Sequence, residues 1–233
     1  VHMHLSTKVS RIEVSGGAVC GLVTDTGERF AADAVVSNVG LSTYLRMLPD
    51  DVVPRRVRVS LRTLPLQSPG ICIYLKAYGR PNNKYLRFLL PGEGELCRSR
   101  IDPGALCADT EPCWRPMRLI TPLAYQDAQT WSESIVEARI QELFAESWWR
   151  TDIQKAEILG WRSPRRWADA FHLYGGAMNP VMTKELMRKG RLRHQSPYVK
   201  GLYLAGSGTH PGQWVSFCAL SGLSAAQCVL DNT

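Results

Sequence analysis

The sequence predicts a mixed α/β fold, and three stretches carry the prediction. Residues 9–37 alternate apolar and polar side chains between glycine turns, as the strands of a β-meander do. Residues 70–78 and 117–124 are apolar runs of strand length. Residues 201–230 read as a buried strand, a glycine-rich turn and an apolar helix. The 233 residues suffice to bury a core, and a chain 45% apolar and 21% charged is neither disordered nor a fibrous repeat. No run approaches the ~18 unbroken apolar residues of a membrane-spanning helix.

In the first segment Val9, Arg11 and Glu13 alternate with Ser10, Ile12 and Val14 before Ser15-Gly16-Gly17 turns the chain. Val19 to Thr24 returns it, Asp25-Thr26-Gly27-Glu28 turns it again, and Arg29-Phe30 opens a third run. Ala34 to Ser37 is expected to be a short strand buried on both faces. Leu41 to Leu48 reads as a short helix stopped by Pro49. Residues 50–64 fit two periods. Val53, Val57, Leu61 and Leu64 suit a helical face, whereas Val57, Val59 and Leu61 also alternate; helix is preferred.

Gly70 to Tyr78 and Met117 to Ala124 are expected strands, with a hairpin and long loops over 79–116. Thr130 to Trp148 is expected to be an amphipathic helix. Its apolar face would hold Ile135, Ala138, Ile140, Leu143 and Phe144, and its outer face Glu133, Glu137, Arg139 and Glu142. Ile153 to Leu159 follows as a strand, and residues 161–200 read as an Arg-rich loop region. Gly201 to Ala205 is a buried strand, and Val215 to Leu230 a helix of small and apolar residues.

Charge narrows the partners. The excess of 28 basic over 21 acidic residues, +7, reads first as a solubility feature. An anionic membrane surface or an anionic cofactor is the alternative. The dense stretch Arg55 to Arg62 comes with no recognition-helix, zinc-finger or RNA-binding signature, so no nucleic-acid partner is expected. Lys184 to Arg193 reads as a solvated face. Seven cysteines at irregular spacings without a C-x-x-C pair argue for free thiols in a reducing cytoplasm rather than a disulfide framework or a zinc site. Cys97, Cys107 and Cys113 share one loop-like stretch, but no metal is expected there. The chain opens without Met inside strand-like sequence, which is expected of the C-terminal part of a longer polypeptide.

The densest signal is Gly201-Leu202-Tyr203-Leu204-Ala205-Gly206-Ser207-Gly208-Thr209-His210-Pro211-Gly212-Gln213-Trp214-Val215. Glycines after a buried strand allow close backbone approach to a ligand, and a helix start offers unpaired N–H groups and partial positive charge. An anion or a cofactor at that helix start is one reading; an ordinary strand-to-helix turn is the other. Neither a P-loop nor a G-x-G-x-x-G fingerprint occurs in the chain.

Gly206 to Gly212 resembles the C-terminal G-x-G-T-H-P-G signature of the phytoene-desaturase-type FAD-dependent oxidoreductases, a family of carotenoid desaturases and isomerases and retinol-saturase-like proteins. Val9 to Ile12, Gly21-Leu22-Val23, Gly27-Glu28 and Ala32 to Asn38 resemble the meander that leaves that family's FAD domain. Ser163-Pro164 followed by Gly175-Gly176-Ala177 is a further match. The resemblance implies a glutathione-reductase-type FAD-binding fold, present as its C-terminal part, with an inserted α+β substrate lobe. Residues 1–40 and 196–233 would belong to the FAD domain, and 41–195 to the lobe.

The resemblance also implies roles. Val9 would touch adenine, Ser37 and Asn38 would pass near the dinucleotide, and Gly206 and Ser207 would lie beside the ribityl chain and pyrophosphate. Pro211, Trp214, Val215 and Ser216 would line the flavin ring. His210 is the one candidate for acid–base work. Two positions depart from the family pattern: Gln213 and Trp214 stand where relatives often have glycines, and Ser207 where many carry an acid. The implied activity is FAD-dependent desaturation or isomerisation of a carotenoid, retinoid or other lipid. The chain would lack the family's N-terminal ADP-binding βαβ unit. A flavin amine oxidase-like enzyme and a non-catalytic lipid- or partner-binding module are the alternatives. The expected location is cytoplasmic, with a peripheral membrane association as an option.

Overall fold

The computed structural model describes residues 1–81, 84–90, 97–106 and 111–232, apart from the side chains of 105 and 106. The chain divides into two compact units. One combines Val1–Pro65 with Asn179–Thr233; the other is Leu66–Met178. The expected lobe boundaries, 41 and 195, both fall within the first unit.

In the first unit Val9–Ser15, Ala18–Thr24 and Arg29–Ala31 form the expected antiparallel meander. Register runs from Val9 opposite Thr24 to Ser15 opposite Ala18. Gly16 and Gly17 turn the hairpin at φ 56° and 77°, a region that L side chains resist. Val35–Ser37 pairs in parallel with Leu202–Leu204. Gly201 feeds that pair at φ +76°, and a Cβ there would lie 2.5 Å from the Asp33 carbonyl oxygen. Only glycine lets the two segments come this close. The expectation of a strand buried on both faces fails at Val36, which is 52% exposed. The pair has only two strands, and alternation turns Val36 to the face opposite the core.

Gly40–Ser42 begins a helical turn that widens into a π-helical turn over Thr43–Met47 before Pro49. Arg55–Arg62 is helical, as preferred over a strand. Its Arg58 is buried and closes the preceding loop. It donates to the Leu48 and Pro49 carbonyls at 3.2 and 2.5 Å and pairs with Asp50 at 3.0 Å. Ile12, Val19, Tyr44, Leu48, Val53, Val199, Leu202 and Leu204 form this unit's core.

The second unit is built on a five-stranded antiparallel sheet. Its order is Lys155–Arg162, Ile71–Gly79, Cys113–Thr121, Arg98–Ile101, Leu86–Leu89. The helix Glu133–Ala145 covers one face and starts where Ser132 Oγ accepts from Ile135 N at 3.3 Å. Val136, Ile140 and Leu143 pack with Ile71, Ile73, Leu75, Ala77, Met117, Leu119 and Trp149. The expected apolar face was one residue off at its start: Ile135 and Ala138 are exposed, and Val136 is buried instead. The helix is also shorter than expected, because Tyr125–Thr130 is a separate helix and Trp131 is extended. The strand expected at Met117 begins at Cys113 and ends at Thr121.

Residues 161–200 are not simply loop. Pro164–Phe171 and Lys184–Lys189 are helices. Ser163 and Thr183 cap them by accepting from Arg166 N at 3.2 Å and Leu186 N at 3.1 Å. Arginine content masked two ordinary start signals, Ser-Pro and Thr followed by Lys-Glu.

Arg100 and Asp102 are fully buried and Arg115 nearly so. Arg100 Nη2 bonds Asp102 at 2.8 Å and Asp152 at 2.7 Å, Arg115 Nε bonds Asp102 at 3.0 Å, and Arg115 Nη1 donates to the Gly79 carbonyl at 2.6 Å. The network ties the strand edge to the loop at Asp152. Among the described residues every cysteine is free and no group of side chains could hold a metal ion. Cys107 lies outside the described residues. None of the described helices is long and apolar enough to cross a membrane.

Candidate functional site

Leu202–Leu204 is buried at every residue and leads straight into the glycine turn. The next residue, Ala205, donates its N–H to the Ser37 carbonyl at 2.9 Å. Gly206 then turns at φ +86°, where an added Cβ would lie 3.2 Å from the Asn38 carbonyl oxygen. Asn38 and Gly206 therefore meet at the carboxyl ends of two parallel strands. In open α/β sheets that end is where ligands gather.

Side chains brace the turn from beneath. Gly206 N–H donates to Ser221 Oγ at 2.9 Å, and Thr209 Oγ1 donates to the Gly206 carbonyl at 2.9 Å. Thr209 Oγ1 and Ser221 Oγ lie 2.6 Å apart, and both residues are fully buried. Arg191 clamps the other side by donating to the Ser207 carbonyl at 2.9 Å. Its guanidinium packs on Gly212, where a Cβ would approach Nη2 to 3.0 Å. Asn179 Nδ2 donates to Gln213 Oε1 at 2.7 Å.

The helix Val215–Leu230 begins immediately afterwards. Trp214, its preceding residue, sits at φ 125° and supplies no side-chain cap. Such a backbone costs about 1–3 kcal/mol and persists where surrounding contacts impose it. Cys218 N donates to the Trp214 carbonyl at 2.8 Å, the first bond of the helix. The N–H groups of Val215, Ser216 and Phe217 precede the helical ladder and have no acceptor within it. No acidic residue stands in the first turn, and Trp214 and Val215 are 70% and 91% exposed. The helix start is therefore an open, partially positive surface. The Ser207 hydroxyl has no protein hydrogen-bond partner among the described residues. Together these groups can hold an electron-rich oxygen and a polyol chain.

The residues singled out in the sequence separate into three sets. Asn38, Gly206 and Ser207 gather at the strand ends. Pro211, Trp214, Val215 and Ser216 form the turn exit and helix start, with His210 exposed beside them and joined to Pro211 by a cis peptide. Ser37 is buried, its hydroxyl shared with Thr43 Oγ1 at 2.7 Å, so it holds the strand end rather than facing outward. Val9 lies on the meander opposite Thr24, outside the hydrogen-bonded cluster. Sequence reasoning missed Thr209, Ser221 and Arg191. Arg191 lies in the Lys184 to Arg193 run, which reads in sequence as a solvated face. Thr209 and Ser221 are twelve positions apart, and only the folded turn makes them a pair.

A family model described as flavin containing amine oxidoreductase matches residues 1–230. The solved structures similar to this chain include an oxidoreductase from Methanosarcina mazei, with TM-score 0.61 and 18% identity, covering 95% of this chain and 49% of that one. A protein from Pyrococcus furiosus gives TM-score 0.59 and 16% identity over 97% and 47% of the two chains. A putrescine oxidase redesigned in its cofactor binding gives 0.55 and 16% over 96% and 48%. The chain spans about half the length of these solved structures, and at such identities the likeness is one of fold. No curated protein matches it in sequence.

Proposed function

We propose that this chain, which belongs to the flavin containing amine oxidoreductase family and has FAD as its cofactor, forms the strand–turn–helix wall of the flavin site in an oxidoreductase of apolar substrates. The observation that carries the reading is the open helix start at Val215, placed by a braced glycine turn directly beyond the parallel strand ends. Bound FAD would accept a hydride from substrate carbon, chemistry that belongs to the cofactor.

The chain's own residues bind and orient. Ser207 Oγ is free to bond a ribityl hydroxyl, and Gly206 lets backbone approach the pyrophosphate side. The N–H groups of Val215, Ser216 and Phe217 favour negative charge on the ring, which makes a reduced flavin anion easier to hold. Pro211, Trp214, Val215 and Ser216 offer the ring a largely apolar edge, and the exposed Trp214 indole excludes water beside it. Val9 would meet adenine and Asn38 the dinucleotide. Ser37, whose hydroxyl is already used, contributes through the strand it holds. The Leu66–Met178 unit would supply the substrate-binding part. His210 is exposed and is the candidate for proton relay.

Oxidation of a carotenoid, retinoid or other lipid is the preferred substrate reading, supported by the Gly206 to Gly212 motif. Oxidation of an amine carbon is the second, supported by the family's description and by the likeness to a putrescine oxidase. The test is anaerobic mixing of the FAD-loaded chain with a retinoid, a polyene or a primary amine while flavin absorbance is followed. Bleaching by the lipid alone is expected. Bleaching by the amine alone would establish the second reading, and FAD-loaded chain bleached by neither would overturn both.

A further inference from the structure

The second face of the five-stranded sheet carries chemistry that the flavin reading does not use. Its first face is filled by the helix Glu133–Ala145. On the other face the pairing register places Arg162 opposite Cys72 and Arg118 opposite Tyr74. Directly opposed residues of antiparallel strands share a face, so Arg162, Cys72, Tyr74 and Arg118 lie together across three adjacent strands. The same register adds Ile120 beside Cys72, Ile101 beside Arg118 and Leu86 beside Ile101. The result is a band of apolar side chains with Arg162 on the edge strand at one end and Arg118 on the middle strand.

Neither arginine meets a carboxylate among the described residues: neither Arg118 nor Arg162 makes an ion pair, although twelve other pairs occur in the molecule. Glu157 falls opposite Lys76, further along the strand. Cys72 and Tyr74, the groups between the two arginines, are themselves held neutral. Burial raises both above their ordinary values, outweighing the pull of the two cations. Arg162 is meanwhile fixed in direction, its guanidinium 4.7 Å from the Trp167 ring centre and 5.6 Å from that of Phe171. The two arginines give this apolar face like charge without a carboxylate partner, which favours an anionic ligand there over a cationic one.

We propose that this face is a binding site for a small molecule with an apolar body and a carboxylate. The carboxylate would lie between Arg118 and Arg162 as a charge-assisted acceptor, and the body along Ile120, Ile101 and Leu86. The inference is argued from the Leu66–Met178 unit alone and deepens the proposed function, which gives that unit the substrate; direct binding to the chain without flavin tests it separately.

Calorimetric titration of the full chain with decanoate, decanol and decylamine tests it. Decanoate should bind, decanol should bind at least about tenfold more weakly, and decylamine should not bind at the site. Arg118→Gln and Arg162→Gln should each weaken decanoate about tenfold while leaving decanol unchanged. Arg118→Lys, which keeps the charge but not the planar fork, should fall between. Circular dichroism of each variant identifies misfolding, and Arg118→Lys then carries the comparison. Equal binding of decanoate and decanol would overturn the proposal, as would variants that bind decanoate like the parent. Binding to anionic vesicles without binding of monomeric decanoate would overturn it in favour of a membrane surface.

Discussion

Replacing Ser221 by Ala removes one oxygen and tests the brace beneath the glycine turn. That oxygen accepts from Gly206 N–H at 2.9 Å and meets Thr209 Oγ1 at 2.6 Å. Ser221 and Thr209 are fully buried, so water does not replace it readily. A donor left unsatisfied in such a place costs about 1–3 kcal/mol. Gly206 is only half-buried, which puts its share near the lower end. Thr209 keeps its bond to the Gly206 carbonyl and loses the smaller share, about 0.5–1 kcal/mol. The total is about 2 kcal/mol, or roughly a 30-fold fall in the ratio of folded to unfolded chain. For a chain of this size that is a loss of about 4–8 °C in melting temperature. Denaturant unfolding followed by circular dichroism reads it directly. Thr209→Val should couple to Ser221→Ala by about 1 kcal/mol in a double-mutant cycle, because the two side chains share one bond. A loss below about 0.5 kcal/mol, with no coupling, would refute the brace.

Three further perturbations follow from the same structure. Asp152→Asn should destabilise by about 1–3 kcal/mol, since Arg100 loses one of its two carboxylate partners and keeps Asp102; urea midpoints measure it. Burial pushes the Asp152 carboxyl up, but bonds from Arg100 and the charges of Arg100, Arg87 and Arg115 override this and hold it below its ordinary value. Its contribution is therefore complete above the unfolded carboxylate range and disappears as pH falls through the lowered folded value, so acid unfolding should be shallower in Asp152→Asn than in the parent. Gly201→Ala should cost more than about 2 kcal/mol, combining positive φ with a Cβ 2.5 Å from the Asp33 oxygen, and thermal melts should show it. Trp149→Ala, which empties a fully buried site in the second unit, should cost about 3–5 kcal/mol by the same measurement.

The sequence was most legible where one local signal decided the outcome. The meander was readable because Gly16, Gly17 and Gly27 all need positive φ between alternating strands. The helix Val215–Leu230 was readable from its run of small residues after a glycine turn. Local signals failed where the partner mattered more than the pattern. Ile135 and Val136 are equally apolar neighbours, and only the direction of the sheet beneath the helix decides which one is buried. Val36 reads as core, yet it belongs to a two-stranded pair that covers one face. The helices at Pro164 and Lys184 were hidden by charge, although Ser163 and Thr183 announce them. At the candidate site the strand, turn and helix start were legible because glycine and helix starts are local. The braces were not, since Arg191, Thr209 and Ser221 acquire roles only when 16-, 3- and 15-residue separations close on the turn.

Titration of the chain with FAD, read by flavin fluorescence and by tryptophan emission, tests the central claim most directly. Trp214 is exposed at the helix start, whereas the other six tryptophans, Trp114, Trp131, Trp148, Trp149, Trp161 and Trp167, lie in the second unit. FAD should bind, quench Trp214 emission and lose that quenching in Trp214→Phe. Its affinity should weaken in Ser221→Ala, where the turn loses its brace. FAD that leaves tryptophan emission unchanged, or that binds Ser221→Ala and the parent alike, would contradict the assignment of this turn and helix start as the flavin wall.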